Sequence, residues 1–215
     1  MEDNICRYKM FDVFYIEYEK HASTPSDIVE HLPTLRKYAS ECESVLELGV
    51  RKCVSSWALA LGLLENEKPC KKMIMNDIMI CDTGKIEAAA SNTPLSISTL
   101  WKNNLELNID DEVDLTFIDT WHVYGQLKRE LSHFAPITKK YIIMHDTTVD
   151  EWYGETMRNI HKYDVKQQCR DTGFPEEEIL KGLWPAIQEF LTIHPEWVLH
   201  ARWTNNNGLT ILKRL

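Results

Sequence analysis

Short apolar runs alternate with segments of helical periodicity along the chain, and this alternation restricts the fold more than any other feature of the sequence. The runs that predict strands are 44–48, 72–75, 95–100, 113–118, 141–144, 197–203 and 209–212. The segments that predict helices include 28–39, 54–64, 124–134 and 185–191. Strands that alternate with helices form a mostly parallel sheet with helices on both faces. The sequence therefore predicts an α/β fold of the doubly wound type with seven strands.

The two ends of the chain add to this outline. Asn205-Asn206-Asn207-Gly208 separates the last two strands and favours an antiparallel C-terminal hairpin, because Asn and Gly tolerate positive φ. Ser23-Thr24-Pro25 predicts the start of a helix with proline in its first turn. The absence of linkers and repeats predicts a single domain, 1–215, in which 1–40 is a helical cap and 147–180 is a variable segment with little periodicity.

Charge and composition exclude several classes of protein. The formal net charge of −9, without a cluster of Lys or Arg, argues against nucleic-acid binding. The acidic N-terminus is not that of a signal peptide, and no apolar run approaches the ~20 residues that span a bilayer. The six cysteines, of which Cys6 is the first, show no CxxC spacing and predict reduced, mostly packed thiols. We expect a cytoplasmic protein without membrane partners.

A single glycine follows the first strand, in Val45-Leu46-Glu47-Leu48-Gly49. Gly49 allows a tight turn and a close approach to a ligand, and the helix that follows offers unpaired N–H groups and the hydroxyl of Ser55. Glu47 is placed to meet the ammonium group of an amino-acid-like ligand. A dinucleotide site would carry G-x-G-x-x-G, so the single glycine argues against a pyrophosphate cradle. A tight turn without any ligand is the alternative.

Asp77 comes directly after the second strand, 28 residues beyond Gly49. A carboxylate at that strand end can accept hydrogen bonds from both hydroxyls of a ribose. Its alternative is a solvated turn residue. Together, Gly49 and Asp77 favour a nucleoside-containing ligand.

Three ionisable side chains follow two later strands. Asp119 ends the strand 113–118, and His145 and Asp146 end the strand 141–144. Carboxylates that converge at a sheet edge repel one another unless a cation lies between them, which a divalent metal would supply. His122, three residues after Asp119, is placed to take a proton from a substrate hydroxyl. A hydrogen-bonded structural histidine is the alternative for His122 and for His145.

These motifs, in this order, resemble class I S-adenosylmethionine-dependent methyltransferases, which have a Rossmann-like fold. More narrowly, they resemble the group of cephalosporin-hydroxylase-like proteins and macrolide sugar O-methyltransferases. The likeness covers residues 25–215 and includes Phe117-Ile118-Asp119-Thr120-Trp121-His122, Tyr141-Ile142-Ile143-Met144-His145-Asp146-Thr147 and Gly182-Leu183-Trp184-Pro185.

The resemblance implies roles for individual residues. The cofactor S-adenosylmethionine would be contacted by Glu47, Gly49, Arg51, Ser55, Asp77, Asn103, Asp119 and Thr120. Asp119, His145 and Asp146 would bind a metal, and His122 would be the general base, with Asp119 beside it in catalysis. Where the family usually has a second glycine, this chain has Cys53, which predicts a wider turn. His145 stands where metal-binding members carry a carboxylate, which weakens the case for Mg²⁺ and favours Mn²⁺ or no metal.

The expected function is O-methylation of a sugar hydroxyl on a glycan or glycosylated metabolite. A catechol-type small molecule is the alternative acceptor. A nicotinamide-dependent oxidoreductase and a non-catalytic binding protein are the alternatives from other classes. A homodimer is left open.

Overall fold

The chain, in a computed structural model that describes residues 2–215 with side chains from Phe11 onward, contains seven strands and nine α-helices among those residues. The strands are β1 (Ser44–Leu48), β2 (Lys71–Asp77), β3 (Leu95–Trp101), β4 (Val113–Ile118), β5 (Thr138–His145), β6 (Trp197–Trp203) and β7 (Leu209–Arg214). The helices are α1 (Glu2–Ala22), α2 (Leu32–Ser40), α3 (Val54–Glu65), α4 (Gly84–Ala90), α5 (Tyr124–Phe134), α6 (Glu155–Arg158), α7 (Val165–Thr172), α8 (Glu176–Leu180) and α9 (Leu183–Ile193). No helix in the described part of the chain is both long and apolar enough to cross a membrane.

The seven strands form one sheet in the order β3-β2-β1-β4-β5-β7-β6. β1 pairs in parallel with β2, and β2 in parallel with β3, whereas β7 is antiparallel to both β5 and β6. The predicted α/β fold, with a mostly parallel sheet and a C-terminal antiparallel hairpin, is therefore confirmed. Chain contacts group the residues into two compact units, one up to Phe117 and one from Ile118 to Leu215.

In the first unit, the core is built around α3, in which every residue from Ser55 to Leu64 is buried. α2 packs so closely on this helix that a Cβ atom on Gly62 would lie 2.2 Å from the Arg36 carbonyl oxygen. α1 packs on the same helix, with the rings of Phe14 and Trp57 edge to face at 5.5 Å. A helix that is apolar all round is one that its neighbours enclose. That the first forty residues cap a ligand site stays a prediction.

The predicted helix start at Ser23-Thr24-Pro25 is wrong. α2 begins at Leu32, and Pro33 occupies its first turn. The hydroxyls of Ser23 and Thr24 both donate hydrogen bonds to the carbonyl oxygen of Lys20, at 3.0 and 2.7 Å. These two residues therefore satisfy the last turn of α1 and do not open the next helix, since a short hydroxyl side chain can bond to the backbone on either side.

The segment 147–180, which shows little periodicity, contains the short helices α6, α7 and α8, and its variability stays a prediction. One other expectation needs correction. The five described cysteines carry free thiols, but only Cys42 and Cys53 are buried, so the expectation of mostly packed thiols is wrong for Cys70, Cys81 and Cys169. The side chains of Cys6 and Tyr8 lie outside the described residues.

Candidate active site

The turn after β1 is held in an unusual backbone conformation. Gly49 has φ of 95° and donates its N–H to the Asn76 carbonyl oxygen at 2.8 Å. Arg51 and Cys53 follow with φ of 48° and 60°, in the left-handed region that costs most residues about 1–2 kcal/mol. Cys53 thus lies in the left-handed region that favours glycine, the residue that the resemblance expects there, and a wider turn stays a prediction.

Asp77 stabilises this turn directly. Its Oδ2 accepts hydrogen bonds from the N–H groups of Val50 and Arg51, both at 3.0 Å, and its Oδ1 accepts one from the N–H of Met79 at 2.9 Å. A carboxylate has about four acceptor positions. The Cys81 thiol also lies within hydrogen-bond reach of this carboxylate. The proposed contact of Asp77 with both hydroxyls of a ribose stays a prediction.

Glu47 is fully buried on β1. Its two carboxylate oxygens accept hydrogen bonds from Ser55 Oγ at 2.5 Å and Ser56 Oγ at 2.7 Å, both in the first turn of α3. Buried carboxylates require such donors, and a negative charge near a helix N-terminus is favourable. These contacts account for Glu47 and Ser55 without a ligand, and their contact with a cofactor stays a prediction.

The remaining predicted cofactor residues also have roles inside their own units. The Arg51 guanidinium lies 3.4 Å from the Asp27 carboxylate at the surface. Asn103 Oδ1 accepts the N–H of Leu105 and begins a short 3₁₀ helix. Thr120 donates its hydroxyl to Oε1 of the buried Glu130 at 2.6 Å. Cofactor contacts at Arg51, Asn103 and Thr120 stay predictions.

An exposed apolar segment follows Asp77, and the sequence reasoning missed it. Ile78, Met79 and Ile80 are 71, 70 and 83% exposed. Three large apolar side chains in succession without a partner are unusual on a surface and are typical of a binding site. The signal in the sequence is an apolar triplet that directly follows a strand and does not continue into a helix.

In the second unit, the predicted metal ligands come together. Asp119 follows β4, His145 ends β5 and Asp146 follows it, and one ligand atom of each lies within 4.8 Å of the others. His145 Nδ1 is 3.5 Å from Asp119 Oδ1 and 3.1 Å from Asp146 Oδ2. His145 and Asp146 are buried and Asp119 is partly buried. The predicted convergence of these three side chains is confirmed.

The C-terminal hairpin orients this cluster. His145 Nε2 lies 3.2 Å from the carbonyl oxygen of Asn206, which can only accept a hydrogen bond, so Nε2 carries a proton and Nδ1 faces the carboxylates. Asp146 has φ of 57°, and its carbonyl oxygen accepts the N–H of Asp150 at 3.1 Å. The turn that begins at the left-handed residue Asp146 thus leads directly to a further carboxylate, that of Asp150.

His122 lies between two pairs of carboxylates. Its Nε2 is 3.2 Å from Asp119 Oδ1 and 3.1 Å from Asp146 Oδ2. Its Nδ1 is 3.3 Å from Asp150 Oδ2 and 3.2 Å from Glu155 Oε2. The side chain is 14% exposed, and its Nδ1 atom is buried. We call these four carboxylates, His122, His145 and Arg158 the acidic cluster.

Three members of the acidic cluster were missed by the sequence reasoning: Asp150, Glu155 and Arg158. Arg158 contacts both oxygens of Asp150, with Nε to Oδ1 at 2.7 Å and Nη2 to Oδ2 at 2.8 Å. All three lie in the segment without clear periodicity, where no strand end marks a position. The only sequence signal is the density of charged residues shortly after Asp146.

Electrostatics in the acidic cluster favour charged forms. Burial opposes the imidazolium of His145, but the contacts with Asp119 and Asp146 outweigh it and raise its pKa to about 10. Burial likewise opposes the charge on His122, but Asp119, Asp150 and Asp146 hold its pKa well above the usual value. Burial raises the pKa of Asp119 and Asp150, yet the contacts with the imidazoles and, for Asp150, with Arg158 lower the pKa of both below the usual range.

These charges show how a metal would fit. The acidic cluster contains four carboxylates, one guanidinium and two imidazoles. When both imidazoles are protonated, its net charge is about −1. One divalent cation with two neutral imidazoles would leave the same balance. The donor set of two carboxylates and an imidazole nitrogen suits Mn²⁺ and similar ions better than Mg²⁺. Asp119, Asp146 and His145 therefore fit a divalent cation that replaces the imidazolium charges.

The hairpin turn packs on the acidic cluster with no room for a side chain, which predicts a large effect for Gly208→Ala. A Cβ atom there would lie 2.3 Å from Thr148 Oγ1 and 2.6 Å from Thr148 N, and Gly208 has φ of 95°. We expect a loss of more than about 2 kcal/mol in the free energy of unfolding, measured by urea denaturation. Gly173→Ala is the matched control, because φ is 72° there but no atom lies within 4 Å. It should cost about 1 kcal/mol. Equal losses in both variants would contradict the close packing.

No protein-family model matches the chain, and no curated protein has a similar sequence. Solved structures do match. An O-methyltransferase from Bacillus cereus in complex with SAH is 12% identical, with a TM-score of 0.57, and the match covers 96% of this chain and 90% of that one. The SAH-bound methyltransferase PaMTH1 of Podospora anserina is also 12% identical, with a TM-score of 0.56 and coverage of 95% and 88%.

A third match is the O-methyltransferase TomG from Streptomyces achromogenes, which is involved in tomaymycin synthesis and was solved in complex with SAM. It is 10% identical, with a TM-score of 0.56, and the match covers 92% of this chain and 89% of that one. Identities this low establish the fold and nothing finer. The chain has the fold of class I S-adenosylmethionine-dependent methyltransferases.

Proposed function

We propose that the chain is an S-adenosylmethionine-dependent O-methyltransferase. The observation that carries the proposal is His122, a partly accessible imidazole between carboxylates that follow β4 and β5, on a fold whose compared structures hold SAH or SAM. An imidazole beside a potential cation site is the arrangement that removes a proton from a hydroxyl. Transfer to an oxygen requires the removal of that proton.

The first unit carries most of the residues that we propose to bind the cofactor. The strained turn at Gly49 and the carboxylate of Asp77 beside it suit a nucleoside, and the exposed Ile78, Met79 and Ile80 offer an apolar face to a flat heteroaromatic ring. The single glycine argues against the pyrophosphate of a dinucleotide. A nicotinamide-dependent oxidoreductase is accordingly the less favoured reading, and nothing in the turn supports it.

In the reaction, the acceptor oxygen attacks the sulfonium methyl carbon, the carbon–sulfur bond breaks, and its electron pair stays on sulfur to give SAH. The proton of the acceptor hydroxyl passes to Nε2 of His122, which must be neutral beforehand. A divalent cation held by Asp119, Asp146 and His145 would supply positive charge that lowers the pKa of the acceptor hydroxyl. The same positive charge would offset the effect of Asp119 and Asp146 on the pKa of His122, so that Nε2 would be able to accept the proton.

We propose a sugar hydroxyl as the acceptor. Trp152 and Tyr153 are 53 and 68% exposed and belong to the same short segment as Asp150 and Glu155. Exposed aromatic rings provide large apolar faces at interfaces, and the C–H face of a sugar ring is a suitable partner. Phe174, by contrast, is buried and stacks with Trp121, so it belongs to the core. A catechol is the alternative acceptor, because its two adjacent oxygens can chelate a metal.

The acceptor class is tested by incubating the purified protein and methyl-labelled S-adenosylmethionine with monosaccharides, glycans and catechols, in the presence of Mn²⁺ or Mg²⁺. We expect label in the sugar fraction that Asp119→Ala abolishes and Glu177→Ala, which removes an exposed carboxylate of the same unit, leaves unchanged. Label in catechols alone would reject the sugar acceptor. Turnover equal to that of the unmodified protein in Asp119→Ala would reject the acidic cluster as the catalytic site. A homodimer and a cytoplasmic location stay predictions.

A further inference from the structure

The strand β3 lies at one edge of the sheet, with β2 on one side and no strand on the other among the described residues. The carbonyl oxygen of Pro94, directly before β3, accepts the N–H of Lys71 in β2 at 3.2 Å. The carbonyl oxygen of Leu100 accepts Nδ2 of Asn76 in β2 at 2.7 Å. Because the backbone groups of successive residues alternate between the two sides of a strand, the residues between these positions alternate as well. Three residues of β3 thus turn their N–H and C=O groups to the open edge: Ile97, Thr99 and Trp101.

This open edge lacks the features that usually prevent pairing with another chain, which are charged side chains, proline and β-bulges. The sequence of β3 is Leu95-Ser96-Ile97-Ser98-Thr99-Leu100-Trp101, without charge, and its register with β2 is unbroken. The strand at the other end of the sheet order, β6, differs in both respects. It carries His200 and Arg202, and its register shifts between Leu199 and Ala201. An uncharged, regular and open edge is a surface on which another strand can pair.

We propose that β3 pairs in antiparallel orientation with β3 of a second copy of this chain, about a two-fold axis at Ser98. This register pairs all seven residues of the strand and places Ile97 of one copy opposite Thr99 of the other. Both residues face the open edge, so they exchange two N–H···O=C hydrogen bonds on each side of the axis. Such an axis uses the β3 edge of both copies, and the assembly therefore closes as a homodimer.

The side chains of β3 suit this register. Trp101, which is partly exposed, lies opposite Leu95 of the other copy. An open cavity of about 390 Å³ lies beside Leu95 at the C-terminal end of α4, and its walls include Ala90, Ile97 and Glu87. The cavity has room for the indole ring of the second copy, and the Glu87 carboxylate can accept the indole N–H.

An extended segment of another protein is the competing occupant, but symmetry and charge favour a second copy. The net charge of −9 makes copies of this chain repel each other where acidic surfaces meet, whereas β3 is uncharged. A residue on a two-fold axis meets its own copy, and Ser98 is small, uncharged and exposed. Pro94 and Lys102 lie opposite each other at both ends of the pairing, where proline has no N–H to extend it. Pairing with another protein would not require the strand to match itself.

The backbone pairing is tested with Thr99→Pro and sedimentation velocity at about 1–100 μM protein, a range suited to small interfaces. Proline at this position removes an N–H from the open edge and leaves the hydrogen bonds to β2 in place, which edge strands tolerate. We expect a dimer in the unmodified protein and a dissociation constant more than tenfold higher in Thr99→Pro. Thr99→Val is the matched control, because it keeps the N–H and the branched side chain, and its dissociation constant should be unchanged.

The position of the axis is tested with Ser98→Lys and Ser98→Glu. Each variant alone places two like charges directly opposite each other, which should raise the dissociation constant severalfold. An equimolar mixture of the two should dimerise more tightly than either variant alone, because unlike charges then meet across the axis. Ser132→Lys, which changes an exposed serine of α5, should leave the dimer unchanged.

Three results would overturn the inference. The first is an unmodified protein that stays monomeric up to about 100 μM or that forms assemblies larger than a dimer. The second is a dimer that Thr99→Pro leaves unchanged, since another surface would then form it. The third is a mixture of the Ser98 variants that dimerises no more tightly than either variant alone. If Thr99→Pro does not fold, as judged by circular dichroism, the mixture of the Ser98 variants decides.

Discussion

Replacing His122 with alanine is expected to lower kcat for methyl transfer by about 10²–10⁴-fold, the usual contribution of a general base. The dissociation constant for S-adenosylmethionine should stay within about twofold, because a general base acts on the acceptor hydroxyl and not on the cofactor. The measurement pairs single-turnover rates with calorimetric titration of the cofactor.

His161→Ala is the matched control for this variant, since His161 is an exposed histidine of the same unit. It should retain the rate of the unmodified protein. A His122→Ala protein that keeps its full rate would show that the proton is removed elsewhere. A protein that loses cofactor binding together with the rate would show instead that His122 supports the fold.

The free energy of unfolding of the metal-free protein is expected to fall as the pH rises from about 6.5 to about 10. His145 has an ordinary pKa of 6.5 when unfolded and about 10 when folded, so its favourable contacts are fully present below 6.5 and are lost as the pH passes through the folded value. This shift corresponds to at most about 5 kcal/mol, and His122 acts in the same direction. Asp119 and Asp150 have the opposite pH dependence, because the pKa of each carboxylate is lowered in the folded protein. Their stabilisation is fully present above pH 3.8 and is lost as the pH falls through the folded pKa.

Urea denaturation at a series of pH values measures this dependence. His145→Asn should flatten the alkaline part of the curve, and His161→Asn should leave it unchanged. Binding of Mn²⁺ should release about two protons, because the ion replaces two imidazolium charges, and calorimetry in buffers of different ionisation enthalpy counts them. A free energy of unfolding that stays constant between pH 6.5 and 10 would contradict the ionisation states assigned to the acidic cluster.

Strand ends account for what could be predicted of the site. Asp119, His145 and Asp146 each end or follow a strongly apolar strand, and neighbouring strands in one sheet bring such positions together. The fold was predictable because apolar runs and helical periodicity are local patterns that the sequence shows directly. The helix start at Ser23 was misassigned because a hydroxyl between two helices can form a hydrogen bond with the backbone of either one, and Ser23 bonds to the preceding helix.

The contacts that depend on non-local geometry could not be predicted. Asp150 lies 3.3 Å from His122, and Arg158 contacts Asp150, in a segment that begins with the left-handed residue Asp146 and in which Thr148 packs against Gly208. The sequence likewise shows that position 77 carries a carboxylate. It does not show that this carboxylate accepts hydrogen bonds from three backbone N–H groups. Hydrogen bonds to the backbone leave no periodic signal in the sequence.

Whether this chain binds S-adenosylmethionine is measured by calorimetric titration with its product, SAH. SAH titrated into the protein should bind at one site per chain and more than tenfold more weakly to Asp77→Ala, whereas NAD⁺ should give no heat of binding. Saturable binding of NAD⁺ without binding of SAH would contradict the account.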